Sequence, residues 1–486
     1  MNIDLEKNWR AILAWLILST VFFGMPTAYG AMANLADLNV KDFGAIGNGI
    51  ADDTDAINRA LAAVATQKKS LYIPPGIYRC DKMDANNHML SLNGGGLDNI
   101  TIYGDGESSH ITTSVSNSST LLYVWAYAKN HNFSISGLKF SSTHAPATQV
   151  YQNGLFLQGT GGANFETAAI RDNVFSGFGN TIGAQGVNGF QISDNTFLSP
   201  RGHDDSQGST APAVYIWMHD NANGLCRNVS ILNNVATGYS GSAKIGSLVT
   251  KRPMDGFVYG VAYGITISGN STTNFSEEHY ALAAPITYPA STAPVLIADN
   301  IINGVIPTGS FAQDGSAKLS NYGIRSEASY VTINNNTMTN MTLGILVRTF
   351  DQPLIKARSI KILNNTIDMA KDSLNYAVTS GIYVIGSPAN NVDSVQVSGN
   401  TINAYFKSPT NYNAVRLIYT NGATVTDNTV QLLETPIGMI ASGKAFNYQF
   451  TKRVIHRNNT VIGPLIAVTG LSPPVVPPGI LGLLLL

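Results

Sequence analysis

The 486-residue chain carries 29 Lys and Arg against 30 Asp and Glu, a formal net charge of −1. Such a balance argues against a nucleic-acid grip or a polybasic membrane face. Only 12% of residues are charged, while 46 are glycine and Asn, Ser and Thr abound, a neutral polar composition that suits stacked strands and turns better than helices.

Lys7 and Arg10 precede the apolar run AILAWLILSTVFFGM (11–25), and small residues follow at Ala28, Gly30, Ala31 and Ala33. This is the grammar of a secretory leader cleaved after Gly30 or after Ala33. The run is short for a bilayer span of about 20 residues, so residues 1–33 read as a signal peptide. The mature chain is then secreted or periplasmic, with no stable membrane span. Cys80 and Cys226 are the only cysteines, which excludes a disulfide framework and leaves their pairing open.

Next comes VKDFGAIGNGIADDTDAINRALAAV (40–64), with Asp52 and Asp53 side by side. Paired acids invite a catalytic role, but a carboxylate just before an apolar-periodic run caps a helix by accepting bonds from its unpaired N–H groups. Ile57, Leu61 and Val64 follow at i, i+4 and i+7 with Ala56, Ala60 and Ala63 alongside, one buried stripe on a short helix from about Thr54 to Val64. The pair therefore serves shape. SLYIPPGIY (70–78) then starts the first coil of a repeating structure.

The middle of the chain repeats one phrase, among them FQISDNTF, VLIADNII, VTINNNTM and VQVSGNTI. Alternating apolar residues end each time in an asparagine, at 173, 195, 234, 270, 300, 336, 365, 400, 428 and 459. Self-similarity at periods of roughly 20–50 residues marks a solenoid, and alternation makes it a β-solenoid. Asparagine suits the turn because it tolerates the left-handed conformation and bonds its own backbone, and stacked amides form a ladder. The fold class is all-β: a single-stranded right-handed parallel β-helix with a short N-terminal capping helix. That helix covers the core and edges that the first coil exposes.

Many coils carry a second short strand, typically with glycine at its head: GLFLQ (154–158), AVYIW (213–217), GIRSE (323–327), GILVR (344–348), GIYVI (381–385) and AVRLI (414–418). Period-two alternation sends Leu155, Val214, Ile324, Ile345, Ile382 and Val415 inward. Phe156, Tyr215, Arg325, Leu346, Tyr383 and Arg416 then face outward, beside Gln158, Trp217, Glu327, Arg348, Ile385 and Ile418. Rings and guanidiniums are what sugar rings and uronate carboxylates bind well. Equally, Glu327 and Arg348 form a surface ion pair and the tyrosines cover loops. At about 4.8 Å per coil, Tyr215 and Arg325 lie roughly 14 Å apart, a binding track rather than one reacting centre.

The stretch NVKDFGAIGNGIADDTDAINRALAAV…SLYIPPGIYRC (39–80) resembles the N-terminal motif of the pectate-lyase-like superfamily, which includes rhamnogalacturonase- and epimerase-like β-helix proteins, polygalacturonases and some phage tailspikes. The asparagine coils extend the likeness to about residue 463. The resemblance implies a right-handed parallel β-helix, an extracellular setting and an acidic polysaccharide as usual substrate. GHDD (202–205) is a partial echo of the polygalacturonase motifs, with their elements fused and reordered, so hydrolase residues do not transfer by position. The aspartate-rich signatures of alginate epimerases are not evident.

Three coils, those closing at Asn234, Asn270 and Asn300, carry charged insertions at one corner: RGHDD (201–205), KRPMD (251–255) and SEEH (276–279). The outer two would rise roughly 10 Å apart, near the spacing of an inverting glycosidase's acid and base. A lyase instead needs a base for the proton α to the uronate carboxylate and a cation for the growing charge. Asp204 or Asp205 is the first choice of acid/base carboxylate, with Glu277 or Glu278 as counterpart. His203, Lys251, Arg252 and His279 are the lyase-type alternatives, and His219 edges the region. Calcium on Asp204, Asp205 and Asp255 would be an oxygen site; no cofactor is required. Long polar loops also collect charges simply because they are solvated.

The β-helix domain thus spans 34–470, and the Pro-rich apolar tail 471–486 is given no function. Two functions fit this organisation. One is a secreted polysaccharide lyase or glycosidase, with an epimerase as variant. The other is a non-catalytic surface or matrix protein that holds glycan; fold alone licenses neither.

Overall fold

The computed structural model describes residues 37–115, 117–143, 152–159, 165–178, 180–198, 214–216, 226–237, 262–273, 278–282, 294–304, 322–349, 357–370, 379–405, 412–434 and 444–462. The proposed leader and tail lie outside them. The described residues form one α-helix, Thr54–Gln67, and strands in sheets of 29, 5 and 6 members. Adjacent coils pair in parallel throughout, as in Ile170 on Ile192, Ile192 on Ile231 and Ile231 on Ile267. The architecture is the parallel β-solenoid read from the repeats.

Among the described residues, most coils contribute two strands to the large sheet, hinged at the asparagine, and a third strand to one of the smaller sheets. The apolar periodicity becomes continuous rows down the core. Ile267, Ile297, Ile333, Ile362, Val397 and Val425 stack on successive coils, all buried. Phe140, Phe175 and Phe197 stack likewise, their ring centres 5.2 and 5.4 Å apart. Burying one such side chain contributes roughly 1.5–3 kcal/mol, so each coil is held by the coils on either side of it.

The asparagines form the expected ladder. From Asn173 to Asn428, each backbone N–H and side-chain amide donates to the Oδ1 of the asparagine one coil on, at 2.8–3.2 Å. The turn itself is made one residue earlier than expected. Asp172, Asp194, Asn233, Gly269, Asp299, Asn335, Asn364, Gly399, Asp427 and Asn458 hold φ between 52° and 68°. The two jobs are thus divided: the first residue of each pair supplies the left-handed conformation, and the buried asparagine after it supplies the ladder.

The glycines that head several of these strands are explained by crowding. A Cβ on Gly344 would lie 2.6 Å from the Gly381 carbonyl oxygen, and one on Gly323 2.7 Å from that of Gly344. Backbone of the next coil fills the place a side chain would take.

The N-terminal motif departs from expectation in two ways. The stack begins before the helix, because Leu38–Asn39 pairs with Leu71–Ile73 and Asn48–Asp52 with Gly76–Arg79. The capping contacts are also redistributed. Asp52 Oδ1 accepts from the Thr54 N–H at 3.0 Å, whereas Asp53, at the N-cap position, turns back to accept from Ile46 N at 2.6 Å and Gly47 N at 2.9 Å. One acid starts the helix and the other ties down the glycine-rich turn, so neither is poised for chemistry. The helix runs past Val64 to Gln67 and buries Ala56, Ile57, Ala60, Leu61 and Val64. Asn58 donates to the Met89 carbonyl at 2.8 Å and accepts from Ser91 N at 2.9 Å, pairing with His88–Gly94, the first strand of the five-stranded sheet.

Among the described residues, no helix is long and apolar enough to cross a membrane. Cys80 and Cys226 are both buried and no disulfide joins them.

Candidate functional site

The six-stranded sheet stacks Glu278–Leu282, Tyr322–Ser326, Leu343–Arg348, Thr379–Ile385, Tyr412–Ile418 and Lys444–Gln449. Its inward row is Tyr280, Ile324, Ile345, Ile382, Val415 and Phe446, all at 0% exposure. The predicted outward row therefore stands in register: Arg325 on Leu346, Leu346 on Tyr383, Tyr383 on Arg416. Crowding covers parts of this face, so Leu346 and Ile418 are each only 6% exposed.

Glu327 is the centre of the face. Its Oε1 accepts from Arg325 Nη2 at 2.8 Å and from Arg348 Nε at 2.6 Å, and its side chain is 3% exposed against 19% and 35% for the arginines. Burial alone would raise this carboxyl; the charges and hydrogen bonds of Arg325 and Arg348 outweigh it and hold it below the ordinary carboxylate range. The predicted exposed pair of Glu327 and Arg348 is thus a three-membered cluster with its acid covered.

Three coils along from Arg325, the Arg416 guanidinium lies 5.0 Å from the centre of the Tyr383 ring, within range of a cation–π contact. Arg416 Nε is buried without a hydrogen-bond partner. Burial pushes the Tyr383 hydroxyl up, with Arg416 opposing. Among the described side chains of this face three guanidiniums stand against one carboxylate, and Arg416 is partly exposed, the kind of group that binds a ligand carboxylate.

Of the remaining proposed site residues, His203, Asp204, Asp205, Trp217, His219, Lys251, Arg252, Asp255 and Glu277 lie outside the described residues. Tyr215 and Glu278 are described only as strand positions, Tyr215 in register with Gly183 and Glu278 with Tyr322. Among the described residues, no three His, Cys, Asp or Glu side chains are grouped to hold a metal. His279 is corrected. It points into the core at 0% exposure with Nδ1 2.8 Å from Thr272 Oγ1, and burial lowers its pKa to about 3. A group so buried is a core residue and not a base open to substrate.

The five-stranded sheet holds residues that the glycine-headed pattern missed. His88 and Tyr123 stack at 4.0 Å, and Trp125 and Tyr127 meet edge to face at 6.1 Å. The strand STLLYVWA, which carries Tyr123 and Trp125, has no glycine at its head; its strict alternation alone would have placed both outward.

Residues 38–120 match the family model described as rhamnogalacturonase A/epimerase, pectate lyase-like. Over 44 residues the chain is 54% identical to mannuronan C5-epimerase AlgE5 of Azotobacter vinelandii, a match spanning 9% of this chain and 4% of the epimerase. The chain thus matches only a small fraction of that relative's length. In fold it is similar to PfbA, a surface adhesin of Streptococcus pneumoniae, at 16% identity with a TM-score of 0.59, covering 84% of this chain and 91% of PfbA. It is also similar to the tailspike protein of E. coli bacteriophage HK620 in complex with a pentasaccharide. There the identity is 12% and the TM-score 0.55, covering 91% of this chain and 84% of the tailspike.

Proposed function

We propose that this chain, a parallel β-helix protein of pectate-lyase-like type, is a secreted carbohydrate-active enzyme that binds an acidic, uronate-containing polysaccharide and cleaves it by lyase or glycoside-hydrolase chemistry. The observation that carries the proposal is the arginine surplus on one sheet face, with Arg325 and Arg348 sharing Glu327 and Arg416 seated on Tyr383. A polymer lying along the coils would set its carboxylates against these guanidiniums. Asp204 or Asp205, with Glu277 or Glu278, would supply the acid and base. In a lyase, His203, Lys251 or Arg252 would take the proton α to the carboxylate. Tyr215, Trp217 and His219 would extend the track, and a calcium ion on Asp204, Asp205 and Asp255 would add an oxygen-ligated cation. On this proposal the coil winds right-handed and the helix closes its N-terminal end, a role favoured by the bonds of Asn58 to the strand His88–Gly94.

The test is incubation of the mature protein with pectin, rhamnogalacturonan, alginate and bacterial exopolysaccharides. Unsaturated uronate ends mark a lyase and new reducing ends alone a hydrolase. Changed stereochemistry without cleavage marks an epimerase, the variant favoured by the 44-residue match to AlgE5. Turnover should fall about a hundredfold or more in Asp205→Asn with binding kept. Retention of glycan with no product from any polymer overturns the enzyme and leaves a glycan-holding surface protein.

A further inference from the structure

The outward face of the five-stranded sheet differs in chemistry from the arginine face. Alternation in Ser119–Ala126 buries Leu122 and Val124 and turns Tyr123 and Trp125 outward. Tyr123 stands between Ser91 and Phe156, and Trp125 between Asn93 and Gln158. None of these six side chains is ionisable near neutral pH. Burial raises the Tyr123 hydroxyl further, and it donates to Gln158 Oε1.

The rings are held in place by their neighbours. Tyr123 stacks with His88 on one side, ring planes 14° apart, and with Phe156 on the other at 6.2 Å. Burial lowers the His88 pKa although Asp84 opposes it, so this ring too is neutral near pH 7. The Phe156 ring occupies the space over Gly183, where an added Cβ would lie 2.4 Å from its Cδ2. Tyr127 lies over Gly95 in the same way, at 2.9 Å. Trp125 and Tyr127 stand at 72° to each other and remain 38% and 62% exposed. The result is an L-shaped aromatic corner, preset by glycines, with amides at its side.

We infer that this corner is a subsite for an uncharged sugar residue, which stacks its C–H face on Trp125 against Tyr127 while the Gln158 and Asn93 amides meet its hydroxyls. The choice of a neutral sugar follows from electrostatics. A ring face carries negative potential, which attracts polarised C–H groups and repels a carboxylate. A carboxylate would also lose water against these rings, and the Lys68 ammonium near Tyr127 is already bonded to the Gly95 carbonyl oxygen at 2.6 Å. Counted along the core row Ile135, Ile170, Ile192, Ile231, Ile267, Ile297 and Ile333, Trp125 lies six coils from Arg325, roughly 29 Å. The inference rests on the proposal that this side of the solenoid is the glycan track. It narrows the substrate to a heteropolysaccharide bearing uncharged as well as acidic residues.

The experiment is calorimetric titration of the full chain with neutral gluco-, galacto-, manno- and rhamno-oligosaccharides and, separately, with an oligogalacturonide. At least one neutral oligosaccharide should bind. Trp125→Ala should weaken it about tenfold or more, Tyr127→Ala about threefold, and Trp125→Phe less than Trp125→Ala, with oligogalacturonide affinity changed less than about twofold in each. Unchanged thermal unfolding of Trp125→Phe separates loss of the subsite from loss of fold. Binding of the oligogalacturonide alone, or equal weakening of both ligands by Trp125→Ala, overturns the neutral subsite and leaves the acidic track standing. Trp125-dependent binding of a neutral ligand without oligogalacturonide binding supports the subsite and sinks the acidic track. Binding of neither sinks both.

Discussion

The side-chain amide of Asn336 donates to Asn365 Oδ1 at 2.9 Å, and the backbone N–H of Asn336 donates to the same oxygen at 3.0 Å. The same Nδ2 also bonds the Ile297 and Asn334 carbonyl oxygens at 3.0 and 3.1 Å. Asn336→Asp keeps the backbone donor, replaces the Nδ2 donor with an acceptor oxygen and buries a charge facing other oxygens. Unfolding in urea should show a loss of about 3 kcal/mol. Asn459→Asp, at the more exposed last rung, should cost less than half as much.

Gly344→Ala tests the crowding at the strand heads. Its Cβ would meet the Gly381 oxygen and Ile367 Cγ2, both at 2.6 Å, and a backbone atom cannot swing aside. The expected loss is about 2 kcal/mol in chemical unfolding. Gly106→Ala is the control: no atom lies within 4 Å of an added Cβ, and only its φ of 72° penalises the change, by about 1 kcal/mol.

Glu327→Gln separates fold from binding. Removing the shared acid leaves two guanidiniums facing each other; because both are partly exposed, the expected loss of stability is about 2 kcal/mol, below that for a fully buried pair. Affinity for an acidic oligosaccharide should rise severalfold and depend more steeply on salt. Arg416→Ala should lower it about tenfold with little change in stability. Calorimetry at two ionic strengths checks both, and an affinity that falls in Glu327→Gln would place the acid in ligand contact.

His279 predicts a pH dependence. Burial drops its pKa from the ordinary 6.5 to about 3, so between those values the unfolded chain binds a proton that the folded one does not. Stability from this group is fully present above pH 6.5 and is lost as pH falls towards 3, at about 1.4 kcal/mol per pH unit. Unfolding free energies of His279→Gln measured from pH 7 to 4 should fall less steeply than wild type by about one proton.

The ladder was legible because one buried position per coil must be asparagine, and its recurrence survives intervals from 22 to 39 residues. The residue before it hid in plain view. Asp, Asn and Gly share tolerance of positive φ and little else, so Asp172, Asn233 and Gly399 look unrelated until their backbone is seen. Asp52 and Asp53 do shape the chain as their spacing implies, but which acid bonds which N–H depends on a turn that no spacing encodes. Arg325, Tyr383 and Arg416 followed from alternation. Trp125 and Tyr127 escaped because the strand that carries Trp125 and ends just before Tyr127 lacks a leading glycine, and the glycine that Tyr127 covers, Gly95, lies beyond the end of the neighbouring strand. The charged insertions at 201–205, 251–255 and 276–279 carry no period, and periodicity is what converts sequence into position here.

Because every rung presents an acceptor to the coil before it and donors to the coil after it, the amide column has a head and a tail, and its dipoles reinforce one another. Any whole turn can be duplicated or deleted in the gene and its neighbours still find the complementary atoms, whereas a fraction of a turn would set like against like. Such a molecule can change length in quanta of one rung, lengthening or shortening the surface it offers to a long ligand without redesign of its interior.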